Sequence, residues 1–227
     1  MDLSFNEDQE LIKRSVEKFI QESYGPEIRR KIISSKNGYS EDIWKQFSQL
    51  GWLALPFKEE DGGFGDDLIN LMIIMKSFGN GLIVEPFIST AVLSGSLLSF
   101  CPKSDIRSEL IKKIINGDIL VSFAFSEPNS RFNIADVSSN AEYKNKQWIL
   151  NGHKSVVFGA GQADYLLISA RTSNERFDKD GISIFYVEKD TKGIEIQDFQ
   201  TIDGFRAGEV KLNEVCLPED NLISVKD

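Results

Sequence analysis

The stretch "VSFAFSEPNSRF", residues 121–132, puts a hydroxyl, a carboxylate and a proline at the end of an apolar strand pattern. Pro128 withholds an amide from the ladder and ends the strand. Ser126 and Glu127 therefore stand where the strand opens into a polar turn of Asn129, Ser130 and Arg131. Two readings are open for Ser126: a cap on the strand end, or a hydrogen-bonding group for a ligand. The sole histidine, His153, follows the turn dipeptide Asn151-Gly152. Nothing beside it reads as a nucleophile or an orienting acid, so it is expected at the surface of a hairpin turn. One histidine and two cysteines give no support to a metal cluster or a Ser-His-Asp triad. Glu59-Glu60-Asp61 and Asp66-Asp67 are expected as solvated loop charge rather than a catalytic pair.

The chain has 227 residues, 41% of them hydrophobic, enough for a real core in one large or two small domains. A formal charge of -9 leaves no basic field for a phosphate backbone or an anionic bilayer, so neither nucleic acid nor membrane is expected as a partner. A small anionic ligand would need local cations, and Arg131, Lys154, Arg171 and Arg206 are the candidates. The first ten residues carry acids where a secretory signal carries a basic region, and the apolar runs at 71–75 and 91–100 are too short to span a bilayer. A soluble cytoplasmic protein with Cys101 and Cys216 reduced is the expectation.

The elements that must position these groups change period near residue 118. Before it, Leu11, Ile12, Val16, Phe19 and Ile20 form a helical stripe that Asn6 can cap. Ile43, Trp44, Phe47 and Leu50 form another, entered at Ser40 and closed at Gly51. Further helices are expected over 68–78, 89–101 and 104–115, the last capped by Ser104 and ended at Gly117. Beyond it the period shortens to two. Strands are expected at 119–126, 136–143, 147–150, 154–158, 164–171, 182–188, 193–199 and 208–213, with turns at Asn151-Gly152, Asp180-Gly181, Lys192-Gly193 and Asp203-Gly204. Helices followed by strands without alternation give an α+β fold class: an all-α domain over 1–118 and an antiparallel β-barrel or sandwich over 119–227.

Four segments, in order, resemble the acyl-CoA dehydrogenase family. "LGWLALPFKEEDGGFG" is similar to the family's interhelical loop, "FSEPNSRFNIADVSSNAE" to its Thr-Glu-Pro segment, "WILNGHKSVVFGAGQADYLLISART" to its Asn-Gly-x-Lys hairpin, and "TIDGFRAGEVKLNEVCLPEDNLI" to its closing β-segment. The detail of the second and third resembles a small-subunit, pimeloyl-CoA dehydrogenase-like branch. The resemblance implies FAD as cofactor and an acyl-CoA thioester as substrate. It also implies electron-transfer flavoprotein or a similar acceptor, and assembly with the same or another acyl-CoA dehydrogenase-type chain. It places the flavin ring against Phe123, Phe125 and Ser126 and the strand Val156, Val157 and Phe158, and the substrate near Ser130, Arg131 and Phe132.

Three departures stand beside that resemblance. The family's glycine-rich turn after Glu-Pro is here Asn129-Ser130-Arg131-Phe132-Asn133, so Arg131 would make a phosphate contact that bare backbone amides make elsewhere, or else lie solvated. The family's Trp-Ile-Thr is Val156-Val157-Phe158. The family's catalytic glutamate lies on a C-terminal helical bundle, so no catalytic residue is named here and the base is expected beyond Asp227. Two functions follow as expectations: α,β-dehydrogenation of an acyl-CoA with hydride transfer to FAD, or a non-catalytic partner subunit of a heteromeric acyl-CoA dehydrogenase.

Overall fold

A computed structural model describes residues 4–65 and 67–224, which leaves Asp66 and Asp227 outside the described residues. Asn6 caps α1 (Glu7–Ser23) reciprocally: its side-chain oxygen accepts from the Gln9 amide at 2.8 Å, and its own amide donates to the Gln9 side chain at 3.1 Å. Ser40 caps α3 (Glu41–Gln49), which closes at Gly51 with φ 77°. Asp67 caps α4 (Leu68–Gly81). The expected helix near residue 89 is a π-helical segment, Ile88–Ser94, that runs into α5 (Gly95–Phe100). Ser104 caps α6 (Asp105–Ile115). The sequence reading missed α2 (Pro26–Ser34), a helix whose start is marked only by proline in its first turn.

The helices close on an aromatic cluster of Phe19, Phe47, Trp52, Phe78 and Phe87, with ring centroids 5.0–5.7 Å apart. The loop over 50–65 feeds Trp52, Leu53 and Phe57 into the core. Gly63 is obligatory there, because a Cβ would stand 2.1 Å from the Phe57 carbonyl oxygen. Asp61 corrects the expectation of solvated charge: its carboxylate takes two 2.7 Å bonds from the buried Arg107 guanidinium. That guanidinium, donating to Asp61, holds its carboxyl below the usual range.

Seven strands follow: β1 (Val121–Ala124), β2 (Asn140–Lys144), β3 (Gln147–Phe158), β4 (Tyr165–Arg171), β5 (Ile182–Glu188), β6 (Ile194–Gln200) and β7 (Arg206–Pro218). Their order is β1-β4-β2-β3-β7-β6, with β5 also on β4, in one curled sheet. The expectation of a wholly antiparallel sheet is corrected at one end, where β1 runs parallel to β4 and β2 meets β4 in parallel at Asn140 and Arg171.

The turn chemistry also differs from expectation. Asn151-Gly152 is not a hairpin turn. It lies inside β3 at a register shift, so the strands expected at 147–150 and 154–158 are one. The β2–β3 turn is Asn145-Lys146, with φ 52° and 62°, the left-handed pair that a two-residue hairpin demands. Glycine is needed at 152 for another reason: a Cβ would stand 2.1 Å from Ser139 Oγ. His153 is consequently a strand residue facing Lys211 across the ladder, not a turn residue.

Side chains join the two halves. Thr90, on the π-helical segment, accepts from the Val121 amide at 3.1 Å and donates to the Val121 carbonyl at 3.0 Å. Arg29 donates to Asp203 O, and Gln162 donates to Asn37 O.

Candidate functional site

The site grows from the end of β1. After Ala124 the chain leaves the sheet with Phe125 exposed and Ser126 half-buried, and Phe123 packs under Phe125 at 5.1 Å between ring centroids. The Ser126 carbonyl accepts from the Ser155 amide at 2.9 Å, which ties the strand end to a bulge in β3. No hydrogen bond engages the Ser126 hydroxyl among the described residues. Beside it, Val156 and Phe158 are exposed, while Val157 is buried in the sheet core. The ring-facing set expected from sequence thus divides: Phe125, Val156 and Phe158 are exposed, Ser126 is half-buried with its carbonyl tied to β3, Phe123 packs under Phe125, and the Val157 side chain is buried in the core.

Glu127, the carboxylate noted in the sequence but given no partner there, organises the turn that follows. Its carboxylate is buried, with Oε1 accepting from Lys154 Nζ at 2.8 Å and from the Ser139 amide at 3.0 Å. Oε2 accepts from the Ser138 amide at 2.8 Å and from the Ser138 hydroxyl. Burial pushes this carboxyl up, but the Lys154 ammonium and the Ser138 and Ser139 donors outweigh it and bring the pKa down to about 2. One side chain therefore closes both ends of the loop over 127–139. Lys154 also donates to Ser169 at 3.1 Å.

Within that loop, Ser130 is buried and its hydroxyl is spent on Glu127, accepting from the amide at 3.1 Å and donating to the carbonyl at 3.0 Å. Arg131, exposed and left-handed at φ 49°, has no hydrogen-bond or ion-pair partner among the described residues, and Phe132 is fully exposed. The four candidate cations therefore separate. Lys154 is paired with Glu127, and Arg206 with Asp198. Arg171 is spent on the carbonyls of Ala135, Val137, Arg176, Asp178 and Asp180 at 2.9–3.2 Å. Lys154 and Arg171 are thereby spent on the structure, Arg206 is paired but partly exposed, and Arg131 is the candidate without a partner among the described residues.

Where Phe158 meets the helices, a cavity of ≈ 200 Å³ opens between Pro86, Ile88, Ser89, Gly159 and Phe205. Gly159 keeps it open: its φ is +72°, and a Cβ would stand 2.9 Å from Ser89 Oγ. An open apolar face beside an unengaged hydroxyl suits a flat heteroaromatic ring with a polar edge, so these residues fit a flavin. Among the described residues, no group of three or more His, Cys, Asp or Glu side chains is arranged to hold a metal ion, and no helix is long and apolar enough to cross a membrane.

Comparison with known proteins agrees with this architecture. Residues 6–118 match the acyl-CoA dehydrogenase N-terminal domain and residues 122–215 the acyl-CoA dehydrogenase middle domain. The acyl-CoA dehydrogenase FadE12 of Mycobacterium tuberculosis strain H37Rv is 24% identical over 100% of this chain and 59% of its own length. A short-chain specific acyl-CoA dehydrogenase of Clostridium acetobutylicum is 26% identical over 98% of this chain and 59% of its own. Among solved structures, a glutaryl-CoA dehydrogenase in complex with glutaryl-CoA superimposes with a TM-score of 0.88 at 22% identity, covering 100% of this chain and 58% of that one. The ChsE4-ChsE5 complex of Mycobacterium tuberculosis gives 0.84 at 24% identity, with coverage of 100% and 58%. The chain spans 59% of the length of these curated relatives. With both domain families matched in order across nearly the whole sequence, the chain belongs to the acyl-CoA dehydrogenase family, of which it carries the N-terminal and middle domains.

Proposed function

We propose that this chain supplies the flavin-holding face and part of the acyl-CoA site of a dehydrogenase that converts an acyl-CoA thioester to its 2,3-enoyl form. The observation that carries the reading is the unengaged Ser126 hydroxyl set beside exposed Phe125, Val156 and Phe158 on a braced sheet. FAD, when bound, supplies the acceptor for the hydride that leaves the β-carbon. Ser126 bonds the polar edge of the ring, and Phe125, Val156 and Phe158 cover its apolar part and keep water from it. Arg131 supplies the charge for a phosphate of FAD or coenzyme A, in place of a glycine-rich amide cradle. Phe132 packs against the same ligand. No residue of this site is assigned as the base that takes the α-proton. In this reading the protein works in the cytoplasm, as a homo- or hetero-oligomer with another acyl-CoA dehydrogenase-type chain, and hands electrons to an electron-transfer flavoprotein or similar acceptor.

A second reading, a non-catalytic partner subunit, is favoured by Val156 and Phe158, which stand where the family resemblance implies Trp and Thr. The visible absorption spectrum of the chain, taken after incubation with FAD and removal of the free cofactor, tests the first reading. Retained flavin that is bleached by an acyl-CoA, once a chain carrying the base is supplied, supports it. A folded complex whose flavin is never reduced by any acyl-CoA overturns it in favour of the partner subunit.

A further inference from the structure

We propose that Glu209, oriented by His153, is a positioning residue that fixes the Val156 bulge and so sets the face offered to the flavin ring. Its consequence rests on the flavin reading above; its geometry rests on the fold alone. In the β3–β7 ladder Lys154 faces Val210 and Val157 faces Gly208, so Ser155 and Val156 together stand opposite Glu209. Val156 takes φ 52°, a left-handed conformation that a β-branched side chain resists, so the surroundings must hold it there.

The regular ladder does not do so. The Ser155 amide is taken by the Ser126 carbonyl at 2.9 Å. The Val156 amide goes instead to a side chain, Glu209 Oε1, in a long bond of 3.4 Å. The other oxygen, Oε2, lies 2.7 Å from His153 Nε2. Both groups are partly buried, so the pair is shielded but reachable. The neighbouring strands put Lys211 opposite His153, Glu195 opposite Lys211 and Gln197 opposite Glu209. Glu209 is thus the group of this sheet region that bonds the bulge amide, and His153 fixes which way its carboxylate lies. Freed of that bond, Val156 relaxes toward the β region and carries its side chain off the face it shares with Phe125 and Phe158.

The test is residue-resolved amide exchange on the full 227-residue chain, paired with FAD binding followed by visible absorption, for the wild type, Glu209→Ala, Glu209→Gln and His153→Ala. Glu209→Ala is expected to speed exchange of the Val156 amide about three- to tenfold, the loss of one hydrogen bond, while β4 amides keep their rates. It is also expected to weaken FAD binding and shift the visible band of the bound flavin. Glu209→Gln, which keeps a carbonyl acceptor, is expected to restore both. An unchanged Val156 exchange rate in Glu209→Ala, or a Gln variant that behaves like the Ala variant, overturns the proposal. Should Glu209→Ala fail to fold, His153→Ala decides instead: faster Val156 exchange supports the clamp and an unchanged rate overturns it. If the wild type binds no FAD on its own, the exchange result alone decides the clamp.

Discussion

Lys154 Nζ lies 2.8 Å from Glu127 Oε1, with the lysine side chain fully buried and the glutamate side chain 2% exposed. Such a pair costs desolvation on both sides and is held by the donors that complete the carboxylate's shell. Removing one partner strands the other, so Glu127→Ala or Lys154→Ala is expected to lose about 3–5 kcal/mol. The double variant Glu127→Ala/Lys154→Ala is expected to lose less than the sum. Urea denaturation of the four proteins measures the coupling, and simple additivity would refute it.

The same pair sets an acid limb. The Glu127 carboxyl titrates at about 2 in the fold against an ordinary value of 4.5. An unfolded chain therefore takes up this proton first as pH falls. The stabilisation is complete above about pH 5 and is lost as pH drops toward 2. Glu127→Gln is expected to flatten this part of the stability profile, measured as unfolding free energy against pH.

Glu85 has the opposite sign. It is buried between α4 and the π-helical segment, neither of its oxygens has a hydrogen-bond partner among the described residues, and burial pushes its pKa up to about 7. The Tyr24 hydroxyl and the Ser40 and Val84 amides moderate that rise without closing a bond of normal geometry. The folded chain keeps this proton up to about pH 7 while the unfolded chain releases it near 4.5, so stability declines as pH rises between the two. Glu85→Gln is expected to remove that decline and to be more stable than wild type at pH 8. A variant that loses stability there would show that the ionised carboxylate is well solvated.

Much of this fold was legible, and the exceptions have physical causes. Capped, 3.6-periodic helices such as α1, α3 and α6 announce themselves because cap, stripe and closing glycine agree. Asn151-Gly152 misled because glycine answers two needs, a left-handed turn or a close neighbour, and here the neighbour is Ser139. Lys146 at φ 62° gives no sequence signal at all. Of the site, the end of β1 at Phe125 and Ser126 could be read from apolar alternation broken by a proline. Glu127 with Lys154, and His153 with Glu209, could not, since 27 and 56 residues separate the partners and only strand register brings them together.

Ser126→Ala tests the ring-edge contact. It removes an otherwise unengaged hydroxyl, so stability is expected to stay within about 0.5 kcal/mol. FAD affinity is expected to fall by about 1 kcal/mol, or roughly fivefold. Equal affinity in the two proteins, by fluorescence titration, would remove Ser126 from the site.

Gly63→Ala tests the interhelical loop. The new methyl meets backbone, not a movable side chain, at 2.1 Å from the Phe57 oxygen. A loss of about 1–3 kcal/mol is expected, with Phe57 displaced from the core, and thermal melts report it directly. A neutral result would mean that the loop has room to shift.

The contact between Thr90 and Val121 carries a final consequence. β1 closes one end of the strand path, and the backbone of Val121 is satisfied by the Thr90 and Ser94 side chains of the helical half instead of by another strand. Those two hydroxyls act as guards on a sheet edge. The β half produced without its helices would present Val121 and its neighbours bare, an invitation to strand-to-strand association between copies. The two halves are therefore bound together by solubility as well as by packing, and separating them would convert a folded sheet into a template for aggregation.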